Sequence, residues 1–152
     1  MKKAEELLAI CRELSEDAEF VSGEDIEKLA ELIIKSNRIF IAGAGRSGFA
    51  ARAFANRLMH LGLTVFFVGE TTTPSIQAND LLIIGSGSGE TGSLVTMANK
   101  ASGQNASVAT ITIYPQATIG ALSKVTVKLP GSTNKSDIDS GKVSIQPMGS
   151  SF

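Results

Sequence analysis

Cysteine and histidine are almost missing from this 152-residue chain. The single cysteine, Cys11, excludes an internal disulfide and a cysteine-built zinc cluster. The single histidine, His60, excludes a histidine-rich metal site within one chain. Charge of one sign is also missing. The formal net charge is −1, which argues against a broad nucleic-acid footprint. Long apolar runs do not occur. The longest are strand-sized, too short to span a membrane. The opening residues, Met1-Lys2-Lys3-Ala4-Glu5-Glu6, lead into an amphipathic helix and carry no apolar stretch of the signal-peptide kind. The cytoplasm is therefore the expected compartment. What remains is a globular composition, 43% apolar and 19% charged, of a length suited to one domain with its own core.

What the chain has in quantity is glycine. There are 15, and nine of them fall between Gly43 and Gly92. Charge is distributed unevenly around that cluster. Residues 1–38 hold ten acids and six bases, a net of −4, and residues 39–152 hold five acids and eight bases, a net of +3. An anionic ligand suits the second part better.

Ala4, Leu7, Leu8, Cys11 and Leu14 recur at helical spacing, so residues 3–19 read as an amphipathic helix with Cys11 as a small core residue on its apolar stripe. Ser22 reads as the cap of a second helix, with Asp25 completing a variant capping box, and Ile26, Leu29, Ala30, Ile33 and Ile34 as its buried face. These two helices fill residues 1–36. From residue 38 the period changes. Arg38–Gly43, Thr64–Gly69, Asp80–Gly85, Ser107–Ile113 and Lys124–Leu129 read as five strands. The first three are continuous apolar runs, as expected of strands covered on both faces. Helices are expected over Phe49–Leu61, ended by Gly62, over Glu90–Ser102, ended by Gly103, and over Ala117–Leu122. Strand–helix alternation over 38–129 predicts a three-layer α/β fold. Its core is a doubly wound five-stranded parallel sheet in the flavodoxin-like order 2-1-3-4-5. Residues 130–144 read as a polar loop, and the whole chain as a single domain.

Two glycine-rich segments follow strands. The first, Gly43-Ala44-Gly45-Arg46-Ser47-Gly48, is a literal G-x-G-x-x-G between a strand and a helix, and Glu70 comes 22 residues after Gly48. Those are the parts of a dinucleotide-binding fingerprint. Two features weigh against it: there is no room for a separate substrate domain, and a second loaded loop exists. That loop, Ser86-Gly87-Ser88-Gly89-Glu90-Thr91, offers three hydroxyls and backbone amides freed by Gly87 and Gly89 at a helix N-terminus, a setting suited to phosphate. The plainer alternative is that the serines are caps and the glycines only turn the chain. In the 2-1-3-4-5 order both loops open onto the crevice at the switch point, forming a cup for one phosphorylated ligand.

Five stretches carry a resemblance. They are Gly43–Gly48, Asn56-Arg57-Leu58-Met59-His60-Leu61-Gly62, Val68-Gly69-Glu70-Thr71-Thr72-Thr73-Pro74, Ser86–Thr91, and Ser144-Ile145-Gln146-Pro147-Met148-Gly149-Ser150-Ser151-Phe152. Through them the chain resembles the SIS (sugar isomerase) domain family along essentially its whole length, and within it the 6-phospho-3-hexuloisomerase group. The resemblance implies interconversion of D-arabino-hex-3-ulose 6-phosphate and D-fructose 6-phosphate through an enediolate, with neither metal nor nucleotide cofactor. It also implies a place in the ribulose monophosphate pathway beside a hexulose-phosphate synthase, and a homo-oligomer, a dimer or tetramer. On the family pattern Ser47, Ser86, Ser88 and Thr91 anchor the phosphate, with Gly45, Gly87 and Gly89 supplying loop backbone. A sugar-phosphate-binding module without catalysis, and an aldose–ketose isomerase of another phosphosugar, are the alternatives.

Isomerisation also needs a base and a group that stabilises an oxyanion. Arg46 is a candidate for the oxyanion or for substrate hydroxyls, and otherwise a surface arginine. His60 is the only imidazole and titrates in the right range. It lies 12 residues beyond Gly48, about 18 Å along a helix. A catalytic His60 therefore enters a neighbouring subunit's site; otherwise it is a last-turn residue interacting with the helix C-terminus. Glu90 is a second candidate base, or a dipole partner in a first helical turn. Glu70 reads as positioning the adjoining loop. The resemblance further implies a glutamate directly after Phe152 as a leading candidate base, beyond the last residue of this sequence.

Overall fold

The computed structural model describes residues 4–131 and 144–146. The chain runs α1 (Glu5–Ala18), α2 (Gly23–Lys35), β1 (Ile39–Gly43), α3 (Gly45–His60), β2 (Val65–Phe67), β3 (Leu81–Gly85), α4 (Gly92–Gly103), β4 (Ser107–Thr112), α5 (Thr118–Leu122) and β5 (Val125–Lys128). The five strands form one sheet in the order β2-β1-β3-β4-β5, every neighbouring pair parallel. That is the expected order. The expected polar loop falls largely on residues outside the described ones.

The apolar runs of β1 and β3 are buried because both faces of the sheet are covered. Successive side chains alternate across a strand. Ile39, Ile41, Leu81, Ile83, Ala109 and Val127 therefore meet Leu29 and Ile33 of α2 and Ala51, Ala55 and Leu58 of α3. Phe40, Ala42, Leu82, Ile84 and Val108 project the other way, onto Leu94, Ala98 and Ala101 of α4 and Ile119 of α5. Three layers result. Alanines on α3 and α4 let both helices lie close to the strands.

Local signals explain most of the helix ends. Ser22 accepts a hydrogen bond from the Asp25 N–H at 3.2 Å and starts α2. Gly62 N–H donates to the Met59 carbonyl and Leu63 N–H to that of Leu58, the paired bonds of a Schellman ending. The end of α4 departs from expectation. Gly103 lies inside the helix, and Asn105, at φ 58°, takes the left-handed position. Ala106 N–H donates to Ala101 and Asn105 N–H to Ser102, the same pair of bonds with asparagine in place of glycine. The start of α3 also departs. It begins at Gly45 rather than Phe49, because the chain turns into the helix immediately after Ala44. Gly43 and Gly48 permit this: a Cβ on Gly48 would stand 2.8 Å from the Gly43 carbonyl oxygen.

Two expectations about the N-terminal helices are corrected. Cys11 is exposed rather than buried, as are Leu7, Leu8 and Leu14 on the same stripe. The apolar face of α1 exists, but its leucines stay exposed among the described residues. On α2 only Leu29 and Ile33 are buried; Ile26, Ala30 and Ile34 are exposed. Residues 144 and 145 lie against α1, where the Glu13 carboxylate accepts from the Ser144 hydroxyl and, at 3.0 Å, from the Ile145 N–H.

Candidate active site

The site lies at the C-terminal ends of β1 and β3. Gly43 and Gly85 are partners in the sheet register, so the segments that follow them emerge side by side. One then enters α3 on one face of the sheet and the other α4 on the opposite face. That divergence opens the switch-point crevice.

From the β1 side comes the first turn of α3. What reads in sequence as a loop is mostly helix, with Ala44 alone between strand and helix. Arg46 is exposed and Ser47 half-buried within that turn, where backbone N–H groups have no intrahelical partner. From the β3 side comes a true loop. Ser86 is only 3% exposed. Its N–H donates to the Ile111 carbonyl at 3.1 Å, and its hydroxyl accepts from the Gly89 N–H at 3.1 Å. Ser86 thus braces the loop through its oxygen, and its own O–H remains a donor. Ser88 is half-buried and accepts from the Glu90 N–H at 3.3 Å. Thr91 occupies the N-cap position of α4 in extended conformation, yet its side chain makes no capping bond. Its hydroxyl and the first-turn amides of α4 are placed for an anion.

This loop is built on the β4–α5 connection, which the sequence did not single out. The Gly87 carbonyl accepts from the Ile113 N–H and from the Thr112 hydroxyl, both at 3.2 Å. The Gly89 carbonyl accepts from the Ile119 N–H at 3.1 Å. Gly89 has φ 64°, and a Cβ there would stand 2.6 Å from that of Ala117. The signal for Thr112 was available: a hydroxyl in a buried strand needs a partner. Thr118 carried no such signal.

Glu90 does not lie in the first turn of a helix, as expected from the sequence. It precedes α4 and reaches across to α5. One carboxylate oxygen accepts from the Thr118 N–H at 2.7 Å and the other from the Thr118 hydroxyl at 2.8 Å. Glu70 is paired with Arg52 of α3 at 2.5 Å, and the Arg52 guanidinium lies 3.8 Å from the Phe67 ring centroid. Thr73 Oγ1 donates to the Phe67 carbonyl at 2.8 Å. The acid that a dinucleotide reading assigns to a ribose is thus engaged by Arg52, holding the segment after β2.

His60 is the last residue of α3 and is exposed. The helix is continuous from Gly45, so the structure does not bring the imidazole to the crevice of its own chain. At the far end of the sheet, Arg38 grips Asp80 through Nε at 3.0 Å and Nη2 at 2.5 Å. Hydrogen bonding to Asp80 pushes the Arg38 pKa up from its already high ordinary value. Among the described residues no group of three or more His, Cys, Asp or Glu stands close enough to hold a metal ion. No helix among them is long and apolar enough to cross a membrane.

The chain matches a model of the SIS domain over residues 32–146. A 3-hexulose-6-phosphate isomerase of Bacillus subtilis is 46% identical over 152 residues, spanning 100% of this chain and 82% of the relative. One of Mycobacterium gastri is 42% identical over 140 residues, 92% of this chain and 69% of that one. The crystal structure of a Methanococcus jannaschii protein, from which a 3-hexulose-6-phosphate isomerase function was inferred, superposes with a TM-score of 0.74. It is 40% identical and covers 84% of this chain and 75% of its own. Sheet order, switch-point loops and these likenesses agree, and the chain belongs to the SIS domain family.

Proposed function

We propose that this protein is a 3-hexulose-6-phosphate isomerase, interconverting D-arabino-hex-3-ulose 6-phosphate and D-fructose 6-phosphate. The observation that carries this reading is the 46% identity, over all 152 residues, to an isomerase of that name. The site suits the substrate. Its hydroxyls and helix-terminal amides favour a phosphate, and a hexulose leaves several hydroxyls for neighbouring polar groups.

The reaction moves a carbonyl from C3 to C2. A base takes the proton from C2, the C–H electron pair forms the C2–C3 double bond of an enediolate as the C3 carbonyl π pair moves onto O3, the hydroxyl proton passes from O2 to O3, and a proton returns to C3 as O2 forms the C2 ketone. Oxidation at C2 balances reduction at C3, so no external oxidant or reductant is consumed. Ser47, Ser86, Ser88 and Thr91 anchor the phosphate in this reading, over backbone shaped by Gly45, Gly87 and Gly89, with Ser86 also bracing the second loop. Arg46 faces the oxyanion of the enediolate. His60 of a second copy supplies the base across a subunit interface, with Glu90 as the other candidate. The exposed stripe Leu7, Leu8, Cys11 and Leu14 is surface that self-association into a dimer or tetramer would cover. The enzyme then works in the cytoplasm, exchanging its hexulose phosphate with a synthase that condenses or releases formaldehyde.

Incubation with fructose 6-phosphate and a hexulose-phosphate lyase tests the assignment. Formaldehyde release that depends on this protein is expected. A folded protein that releases none overturns it.

A further inference from the structure

We propose that Thr118 is a positioning residue for phosphate binding, acting by holding the Glu90 carboxylate on the α5 side of the second loop. The inference rests on the reading of Ser86–Thr91 as the phosphate loop. Glu90 stands between two proposed phosphate ligands in sequence, Ser88 and Thr91. An ionised carboxylate in that place opposes a phosphate dianion, because like charges within a few ångströms repel even when exposed to solvent. The structure shows what restrains it. Both carboxylate oxygens accept from one residue, Thr118, through its N–H at 2.7 Å and its hydroxyl at 2.8 Å. Hydrogen bonds to a charged acceptor are the strong ones, and two donors on one residue fix direction as well as distance.

The grip also ties two segments together. Thr118 opens α5, whose next residue, Ile119, donates to the Gly89 carbonyl at 3.1 Å. Gly89 itself packs so closely on Ala117 that no side chain fits between them. The loop is thus clamped to the start of α5 by its backbone at Gly89 and by its charge at Glu90. The backbone clamp shapes the loop. The Thr118 hydroxyl directs the charge. Thr118 is itself exposed, so its replacement leaves the core intact.

Calorimetric titration with inorganic phosphate and with fructose 6-phosphate measures the effect. Thr118→Val keeps the backbone N–H and removes the hydroxyl. It is expected to weaken both ligands by a similar factor, about five- to tenfold, since one charge-assisted hydrogen bond is lost. Thr118→Ser restores the hydroxyl and is expected to stay within about twofold of the parent. A double-mutant cycle tests the route: in a Glu90→Gln background, with the charge removed, Thr118→Val is expected to cost nothing further. Parental affinity in Thr118→Val, or the same loss in both backgrounds, overturns the proposal. The two readings fail separately. Formaldehyde release without any Thr118 dependence of phosphate affinity leaves the isomerase and removes this inference. Thr118-dependent phosphate affinity without formaldehyde release does the reverse.

Discussion

Asp80 is a carboxylate at 2% exposure, and a charge so placed is stable only when fully paired. It is held by two nitrogens of Arg38 and by the Gln77 N–H at 2.8 Å. Arg38 in turn donates to the Ser75 carbonyl at 3.2 Å and lies over the Phe40 ring. The two residues immediately precede β1 and β3, so the pair sets the entry of both central strands and fixes the end of the segment arriving from β2. Arg38→Leu leaves Asp80 buried with its N–H partner alone. Urea unfolding is expected to show a loss of about 2–3 kcal/mol, a large share of the stability of a domain this size. A variant with unchanged midpoint would show that the pair only breaks even with its own desolvation. None of this was legible in the sequence. Arg38 and Asp80 read as the polar first residues of two strands, and 42 positions separate them.

Among the elements, α2 was the most readable. Its cap, acidic first turn and Lys35 in the last turn all stand where local physics places them. Ser22→Ala removes the acceptor of the Asp25 N–H, and a loss of about 1 kcal/mol is expected, measurable as a lower urea midpoint with unchanged slope. An unchanged midpoint would mean that water satisfies the N–H equally well. The width of the buried face was less readable. Five apolar positions predicted a broad stripe, but of these only Leu29 and Ile33 are buried against the sheet. On α1 the apolar stripe is present, but Cys11 and its leucines are exposed rather than in the core. Periodicity reports that a face is apolar; it does not report what covers it. The helix starts at Gly45 and Thr91–Gly92 show a related limit. Glycine announced a turn at both loops, but only packing against the strand end decided that one is nearly all helix and the other a true loop.

For the whole molecule, the decisive feature is the distance built into α3. It begins at the crevice and ends at its sixteenth residue, His60. The proposed role of His60 as base therefore requires a second copy, because α3 carries the imidazole away from the phosphate loop of its own chain. Mixing two inactive variants tests this. His60→Ala and Thr91→Val are each expected to lose most turnover. Subunit exchange between them should regain about a quarter of the parental activity, because randomly mixed dimers carry one complete site in every four. No recovery, in a preparation shown to exchange subunits, would place the base within the chain that binds the phosphate. The crevice itself belongs to this scale as well. Neither glycine segment is a site alone. They become one because β1 and β3 are sheet neighbours while the helices that follow them lie on opposite faces.

The sequence by itself determined the alternation of strands and helices, the strand order, most helix ends and the two segments that flank the crevice. Each of these follows from short-range periodicity, turn chemistry and capping, together with the few ways a parallel sheet can be wound. The tertiary structure alone decided which side chains meet. It bonded Ser86 to Gly89, took Glu90 out of the first turn of α4 and gave it to Thr118, and paired Glu70 with Arg52. Those outcomes depend on contacts between residues far apart in the chain, such as the 28 positions from Glu90 to Thr118. Such contacts are chosen by packing across a sheet, and no local pattern in the chain encodes them.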